Sequence, residues 1–193
     1  MNDFRIQCAR LCNIQYKKKE DLDIHIVREN DVDTPIIAIK GSNKLKCWLR
    51  NLECAPNRHG VHTGMWKYTI WCIKKYDLLS VFNRYKHITI TGHSSGAATA
   101  MLICYMMQKR NLSFRLIMFG CPKIGTAKFC YNFQKIVLSE CVSFSTGKDI
   151  FTCLPICLYR HPVSITFVNS NFGCLSFKSH GIDAYITDRN TTT

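Results

Sequence analysis

The chain has 193 residues, 47% of them apolar and 20% charged, with no low-complexity tract. That is enough to bury a sizeable core, though near the lower limit for an α/β enzyme. The longest nearly apolar run, Ala97 to Met107, is too short to span a bilayer and suits a buried helix.

Lys and Arg outnumber Asp and Glu by 26 to 13, a formal charge of +13. Such a balance reads either as a solvated basic surface without a specific partner or as one that makes peripheral contact with an anionic membrane or lipid surface. The only dense basic run, Lys17-Lys18-Lys19, is followed at once by acids, so no specific nucleic-acid partner is expected. Met1 is followed by Asn-Asp-Phe-Arg-Ile-Gln-Cys rather than an apolar leader, which reads as a cytoplasmic product. Without such a leader, the twelve cysteines read mostly as small buried hydrophobes. No CxxC pair occurs, and neither a metal site nor a cofactor is expected.

In chain order, residues 4–17 predict a helix, Asp23 to Val27 a half-exposed strand, and Pro35 to Lys40 a buried strand broken by Gly41-Ser42. From Asn43 to Leu52, the residues Leu45, Trp48, Leu49 and Leu52 repeat at i, i+3, i+4, i+7 and predict one apolar helix face. A second helical stretch runs from about Met65 to Tyr85. His87 to Thr91 reads as strand, Ser95 to Arg110 as helix, and Phe114 to Phe119 as strand ending at Gly120. Thr126 to Lys135 predicts helix, Cys141 to Thr146 and Val163 to Val168 strands, and Gly181 to Thr187 a closing helix. This alternation implies an α/β fold of one domain over residues 1–193, with a mainly parallel central sheet flanked by helices.

The pentapeptide Gly92-His93-Ser94-Ser95-Gly96 lies between a predicted strand and a predicted helix. A bare GxSxG occurs by chance, but strand–turn–helix is the setting in which a nucleophilic serine is presented at the top of an α/β-hydrolase sheet. The triad order on that fold is Ser, acid, His. Downstream of Ser94 only His161 and His180 are histidines, and only Glu140 and Asp149 are acids lying between the serine and them. His161 reads as a loop or strand-edge residue and Glu140 precedes its strand. Asp149 follows the strand 141–146, at the end where α/β sites form. The expected triad is Ser94, Asp149 and His180, with His93 packing in the elbow. Expected oxyanion donors are the N–H of Ser95 and the N–H or hydroxyl of Ser42; Ser42 reads equally as a helix N-cap.

These residues resemble the class 3 lipase family, the fungal triacylglycerol lipase-like group of α/β-hydrolases. Ile39-Lys-Gly-Ser through Trp48-Leu-Arg-Asn-Leu52 is similar to its oxyanion block, and Val61-His-Thr-Gly-Met65 to its Val-His-x-Gly-Phe block. Ile88 to Ala98 resembles the nucleophile block and Phe119-Gly-Cys-Pro-Lys-Ile-Gly125 the block after it. Asp149 to Pro155 and Ser179 to Tyr185 look like the acid and histidine segments, so the family-like core covers about residues 34–187, with 1–33 an N-terminal helix and strand extension. Lys40 stands where the family has Arg, Asn51 where it has Asp and Met65 where it has Phe; the stretch between Asp149 and His180 is short.

The resemblance implies a compact variant of the fold and a lipase acting on acylglycerols or other lipid esters through an acyl-enzyme on Ser94. A phospholipase A1-type or soluble esterase activity stays open, as does a catalytically silent protein that binds lipid or protein. Leu45, Trp48, Leu49 and Leu52 would serve as a lid or acyl contact, or simply pack as a surface helix. The oligomeric state stays open.

Overall fold

In the computed structural model, which describes residues 2–17, 23–27, 34–41, 55–136, 138–155, 158–168 and 178–186, the elements alternate much as their periodicity predicts. Helix α1 (Asn2–Lys17) leads to β1 (Ile24–Val27) and β2 (Ile36–Ile39). Helices α2 (Thr63–Lys75) and α3 (Leu78–Arg84) precede β3 (His87–His93), α4 (Ser95–Met107) and β4 (Ser113–Phe119). Next come α5 (Ala127–Phe133), β5 (Glu140–Thr146), a 3-10 turn (Ile150–Cys153) and β6 (Ile165–Val168). A second 3-10 turn (Lys178–His180) and α6 (Asp183–Ile186) close the described chain.

The strands form one six-stranded sheet in the order β1-β2-β3-β4-β5-β6. Only the edge pair β1–β2 is antiparallel; every other neighbour is parallel. The two-residue period of a strand sorts its side chains onto two cores. Leu116 and Met118 of β4, with Ile37, Ile39, Ile88 and Ile90, bury against α2, α3 and α4. Ile117 and Phe119 face the other way, against Cys8, Ala9 and Cys12 of α1 and Ile182 and Tyr185 near the chain's end. Helix α4 is covered nearly all round, which accounts for its unbroken run of apolar and small residues.

One expectation changes. The helical stretch from Met65 to Tyr85 is two helices, because Asp77 adopts φ 44°, a left-handed conformation that Asp tolerates better than most residues. Its carbonyl then accepts from the Ser80 N–H and begins α3. The helix expected from Asn43 to Leu52, with Leu45, Trp48, Leu49 and Leu52, lies outside the described residues.

Most of the described cysteines behave as hydrophobes, Cys141 being half-buried and Cys153 exposed. Cys8, Cys12, Cys72, Cys104, Cys121 and Cys130 are buried free thiols. Burial pushes Cys12 and Cys72 up to about 12, so neither is an available nucleophile near neutral pH. No described helix is long and apolar enough to cross a membrane.

Candidate active site

Strand β3 ends at His93, and the chain turns sharply through Ser94 into α4. Ser94 has φ 57° and ψ −127°, a strained conformation for a residue with a side chain. Its N–H donates to the Phe119 carbonyl at 2.9 Å, so the turn is held to the end of β4. Two glycines allow the close approach. A Cβ on Gly92 would sit 2.4 Å from the Gly96 backbone, and one on Gly96 would sit 2.3 Å from the Ile39 carbonyl oxygen. The elbow is thereby pressed against the end of β2, where Ile39 pairs with Gly92.

Three side chains from distant parts of the chain meet at this turn. His180 Nε2 lies 2.7 Å from Ser94 Oγ. Its Nδ1 lies 2.9 and 2.8 Å from the two carboxylate oxygens of Asp149. All three residues are buried. With Nδ1–H donating to Asp149, Nε2 carries the lone pair and accepts from the serine hydroxyl.

Asp149 is held from several directions. It caps the 3-10 turn, its Oδ1 accepting from the Phe151 N–H at 2.9 Å. Tyr185 Oη donates to Oδ2 at 3.0 Å. Burial, reinforced by the Asp149 carboxylate, pushes the Tyr185 phenol well above its ordinary range, so it remains a donor. The histidine is steadied in turn: Thr146 Oγ1 donates to the Ser179 carbonyl at 2.9 Å, and the Phe151 ring lies 4.2 Å from the imidazole.

Gly120 makes this cluster possible. It has φ 57°, and a Cβ there would come within 2.9 Å of Asp149 Oδ2 and 3.1 Å of both His180 Cε1 and Tyr185 Oη. Neither Gly120 nor Tyr185 was assigned a role by sequence reasoning. The sequence signals were a glycine at the carboxyl end of a predicted strand and a tyrosine that closes the histidine segment Ser179–Tyr185.

His93 does more than pack. Its Nε2–H donates to the backbone carbonyl of His180 at 2.7 Å, and the two rings lie 4.8 Å apart. Burial, and then the neighbouring His180, push His93 down to about 3. The unfolded chain takes up this proton below about pH 6.5, whereas the folded chain resists it until about 3. Stability is therefore expected to fall on acidification through that window, by about 2 kcal/mol between pH 6.5 and 5, and to be insensitive to His93 above it. Urea unfolding at pH 5 and 7 measures the loss. His93→Gln, which keeps an N–H donor but does not titrate, should remove most of it.

The rejected candidates lie elsewhere. Glu140 begins β5 and pairs with Arg115 at 2.9 Å, on the opposite edge of the sheet. His161 Nε2–H donates to the Thr152 carbonyl at 2.6 Å. Ser95 opens α4 and is buried beside the elbow. A helix's first turn directs its N–H groups toward its N-terminus, where negative charge is favoured. Ser42 lies outside the described residues; the described chain reaches Gly41, two residues past the end of β2. A cavity of about 300 Å³ opens at the amino edge of the strands, by Thr34, His87, Ser113 and Arg115, away from Ser94.

A parallel sheet that carries a strained serine between strand and helix, with a histidine and an acid closing on it, defines an α/β-hydrolase fold. A profile of the family described as Lipase (class 3) matches residues 36–159, and the chain belongs to that family. Over 87 residues the chain is 33% identical to secreted mono- and diacylglycerol lipase 3 of Gibberella zeae, an alignment covering 42% of this chain and 27% of that protein. It is 24% identical over 155 residues to secreted mono- and diacylglycerol lipase 1 of Fusarium solani, covering 74% of this chain and 46% of that one. The chain thus spans less than half the length of these curated relatives. A solved structure of Rhizomucor miehei triacylglyceride lipase has the same fold, with a TM-score of 0.68 at 20% identity over 88% of this chain and 80% of that one.

The expectation of a cytoplasmic product is overturned, because both curated relatives are named as secreted lipases. It had rested on the residues after Met1, and these belong to α1, whose Cys8, Ala9 and Cys12 pack into the core. A docked helix carries no information about compartment.

Proposed function

We propose that this chain is a serine-dependent carboxylic ester hydrolase, a lipase that cleaves acylglycerols or related lipid esters through an acyl-enzyme on Ser94. The observation that carries this reading is the 2.7 Å approach of His180 Nε2 to Ser94 Oγ, backed by Asp149 at Nδ1. As Oγ attacks the ester carbonyl, His180 takes its proton, and Asp149 holds the tautomer and stabilises the imidazolium. The tetrahedral oxyanion is received by the Ser95 N–H at the start of α4 and by Ser42, which follows Gly41 in the sequence. Collapse breaks the ester C–O bond, and His180 returns the proton to the leaving alcohol. Water, deprotonated by His180, then attacks the acyl-enzyme and releases the fatty acid and free Ser94.

Family membership and the acylglycerol lipases among its relatives support the substrate class. The charge of +13 favours a second reading, a phospholipase A1-type activity on anionic lipids. Assays on mono-, di- and triacylglycerol emulsions, on anionic phospholipid vesicles and on a short soluble ester separate the readings. Hydrolysis of the emulsions above the others is the expected result. A preference for the vesicles would select the second reading, and activity on the soluble ester alone a plain esterase. Folded protein that hydrolyses none of them would sink the proposal.

A further inference from the structure

The outer face of α2 takes no part in the proposed chemistry and is built unlike an ordinary solvated helix face. Its inner side, Met65, Thr69, Cys72 and Ile73, is buried. On the outer side Lys67, Ile70, Trp71, Lys74 and Lys75 neighbour one another at spacings of three and four, which places them on a single stripe. Trp71 is 44% exposed and Ile70 36%, and all three lysines are exposed. The aromatic rings are organised: Tyr68 stacks on Trp71 at 5.5 Å, and Tyr76 meets it edge-on at 6.4 Å. Lys75 Nζ lies 4.5 Å from the Trp71 ring centre.

Charge on this segment is of one sign. From Ala55 to Tyr76 the chain carries Arg58, Lys67, Lys74 and Lys75 and no acid at all. Two acids, Asp23 and Asp77, lie by the carboxyl end of the helix, the end that carries Lys74 and Lys75, and the Asp23 side chain also neighbours Tyr68. The Asp23 N–H donates to Tyr76 Oη at 2.8 Å, and Asp77 is hydrogen-bonded to Ser80.

Tyr76 also fixes where the stripe ends. The Asp23 carbonyl accepts the Lys40 N–H, and Lys40 follows Ile39, the β2 residue paired with Gly92. The carboxyl end of α2 is thereby tied to the same edge of the sheet as Ser94.

We propose that this face, Ile70 and Trp71 framed by Lys67, Lys74 and Lys75, is the surface by which the protein rests on an anionic lipid layer. The inference builds on the lipase reading, since it names the surface on which that substrate would be met. Tryptophan and tyrosine settle at the headgroup level of a lipid interface, and lysine reaches outward to anionic headgroups while its stem covers apolar surface. A second copy of the chain fits this face poorly, because it would set two rows of lysines against each other on chains that each carry +13.

The test uses the Ser94→Ala protein, so that bound lipid is not consumed. Sedimentation with mixed phosphatidylcholine–phosphatidylserine vesicles should capture it, and phosphatidylcholine alone should capture it far less. Replacing Lys67, Lys74 and Lys75 together with Glu is expected to weaken capture by about 100-fold or more, and Trp71→Ser by about tenfold. The same substitutions placed on the active protein should leave turnover of a short soluble ester unchanged, which also reports that the fold is intact. Capture that survives the triple substitution overturns the proposal. So does a concentration-dependent dimer dispersed by Trp71→Ser, which would give the face to a second copy. Failure of the lipase reading shows separately, as loss of ester turnover in the unaltered protein.

Discussion

Ser94→Ala is expected to lower kcat for a soluble ester by about 10⁶-fold while leaving the fold intact. The loss should be this large because the serine, histidine and acid act as one unit. Once Oγ is gone, the basicity of His180 and the electrostatics of the oxyanion donors have no nucleophile to serve. The fold should survive because Ser94 Oγ makes its short contact with His180 Nε2 and caps no helix. Alanine also keeps the Cβ that the turn already accommodates. A fluorophosphonate probe gives a second measurement, since it should label the native protein and not the variant. Ser94→Gly sharpens the test. It is equally inactive but relieves a side chain held at φ 57°, so it should match or exceed the native protein in stability, by up to about 1–3 kcal/mol. Activity within tenfold of native in either variant, or labelling that persists in both, would remove Ser94 from the chemistry.

The residues at the centre of this site were legible because the fold constrains their order more than their spacing. Once Ser94 was placed between a strand and a helix, only Glu140 and Asp149 lay between it and the downstream histidines. Strand ends decided between them: Asp149 follows β5, and Glu140 begins it beside Arg115. Helix α4 and the end of strand β4, Leu116 to Phe119, were equally plain, because a segment buried on all sides reads as a nearly unbroken apolar run. What escaped were contacts that no local pattern encodes. Tyr185 reaches Asp149 from 36 positions away, and the value of Gly120 lies in the space it leaves between Asp149, His180 and Tyr185. His93 looked like elbow packing, since nothing in the sequence shows that the His180 carbonyl would come within 2.7 Å of it. The break at Asp77 was missed because apolar spacing continues across it, and only the backbone there turns left-handed.

Asp149→Asn is expected to cost about 10⁴-fold in kcat at neutral pH, although the substitution changes almost no volume. The reason lies in the donors that surround the carboxylate. Oδ1 accepts from the Phe151 N–H at 2.9 Å, and that backbone donor cannot reverse its role. An asparagine must therefore turn its carbonyl oxygen toward Phe151 and its amide NH₂ into the place of Oδ2. There it meets Tyr185 Oη, a hydroxyl that can rotate and accept, and His180 Nδ1, which lies 2.8 Å from Oδ2 in the native protein. Nδ1–H could still reach the carbonyl oxygen at the Oδ1 position, 2.9 Å away, but it would then face the NH₂ donor to donor. The tautomer that accepts from the NH₂, with the proton moved from Nδ1 to Nε2, is therefore favoured. The nitrogen facing Ser94 Oγ then carries a hydrogen and has no lone pair with which to take the serine proton. Labelling by the fluorophosphonate should slow by a similar factor, because it depends on the same proton transfer. Thermal unfolding should change little, since the buried charge is lost while its hydrogen-bond partners Phe151, Tyr185 and His180 stay paired. A rate within tenfold of native would mean that another group orients the imidazole. Glu140 cannot be that group, being paired with Arg115 at 2.9 Å on the opposite edge of the sheet, so such a result would return His180 itself to question.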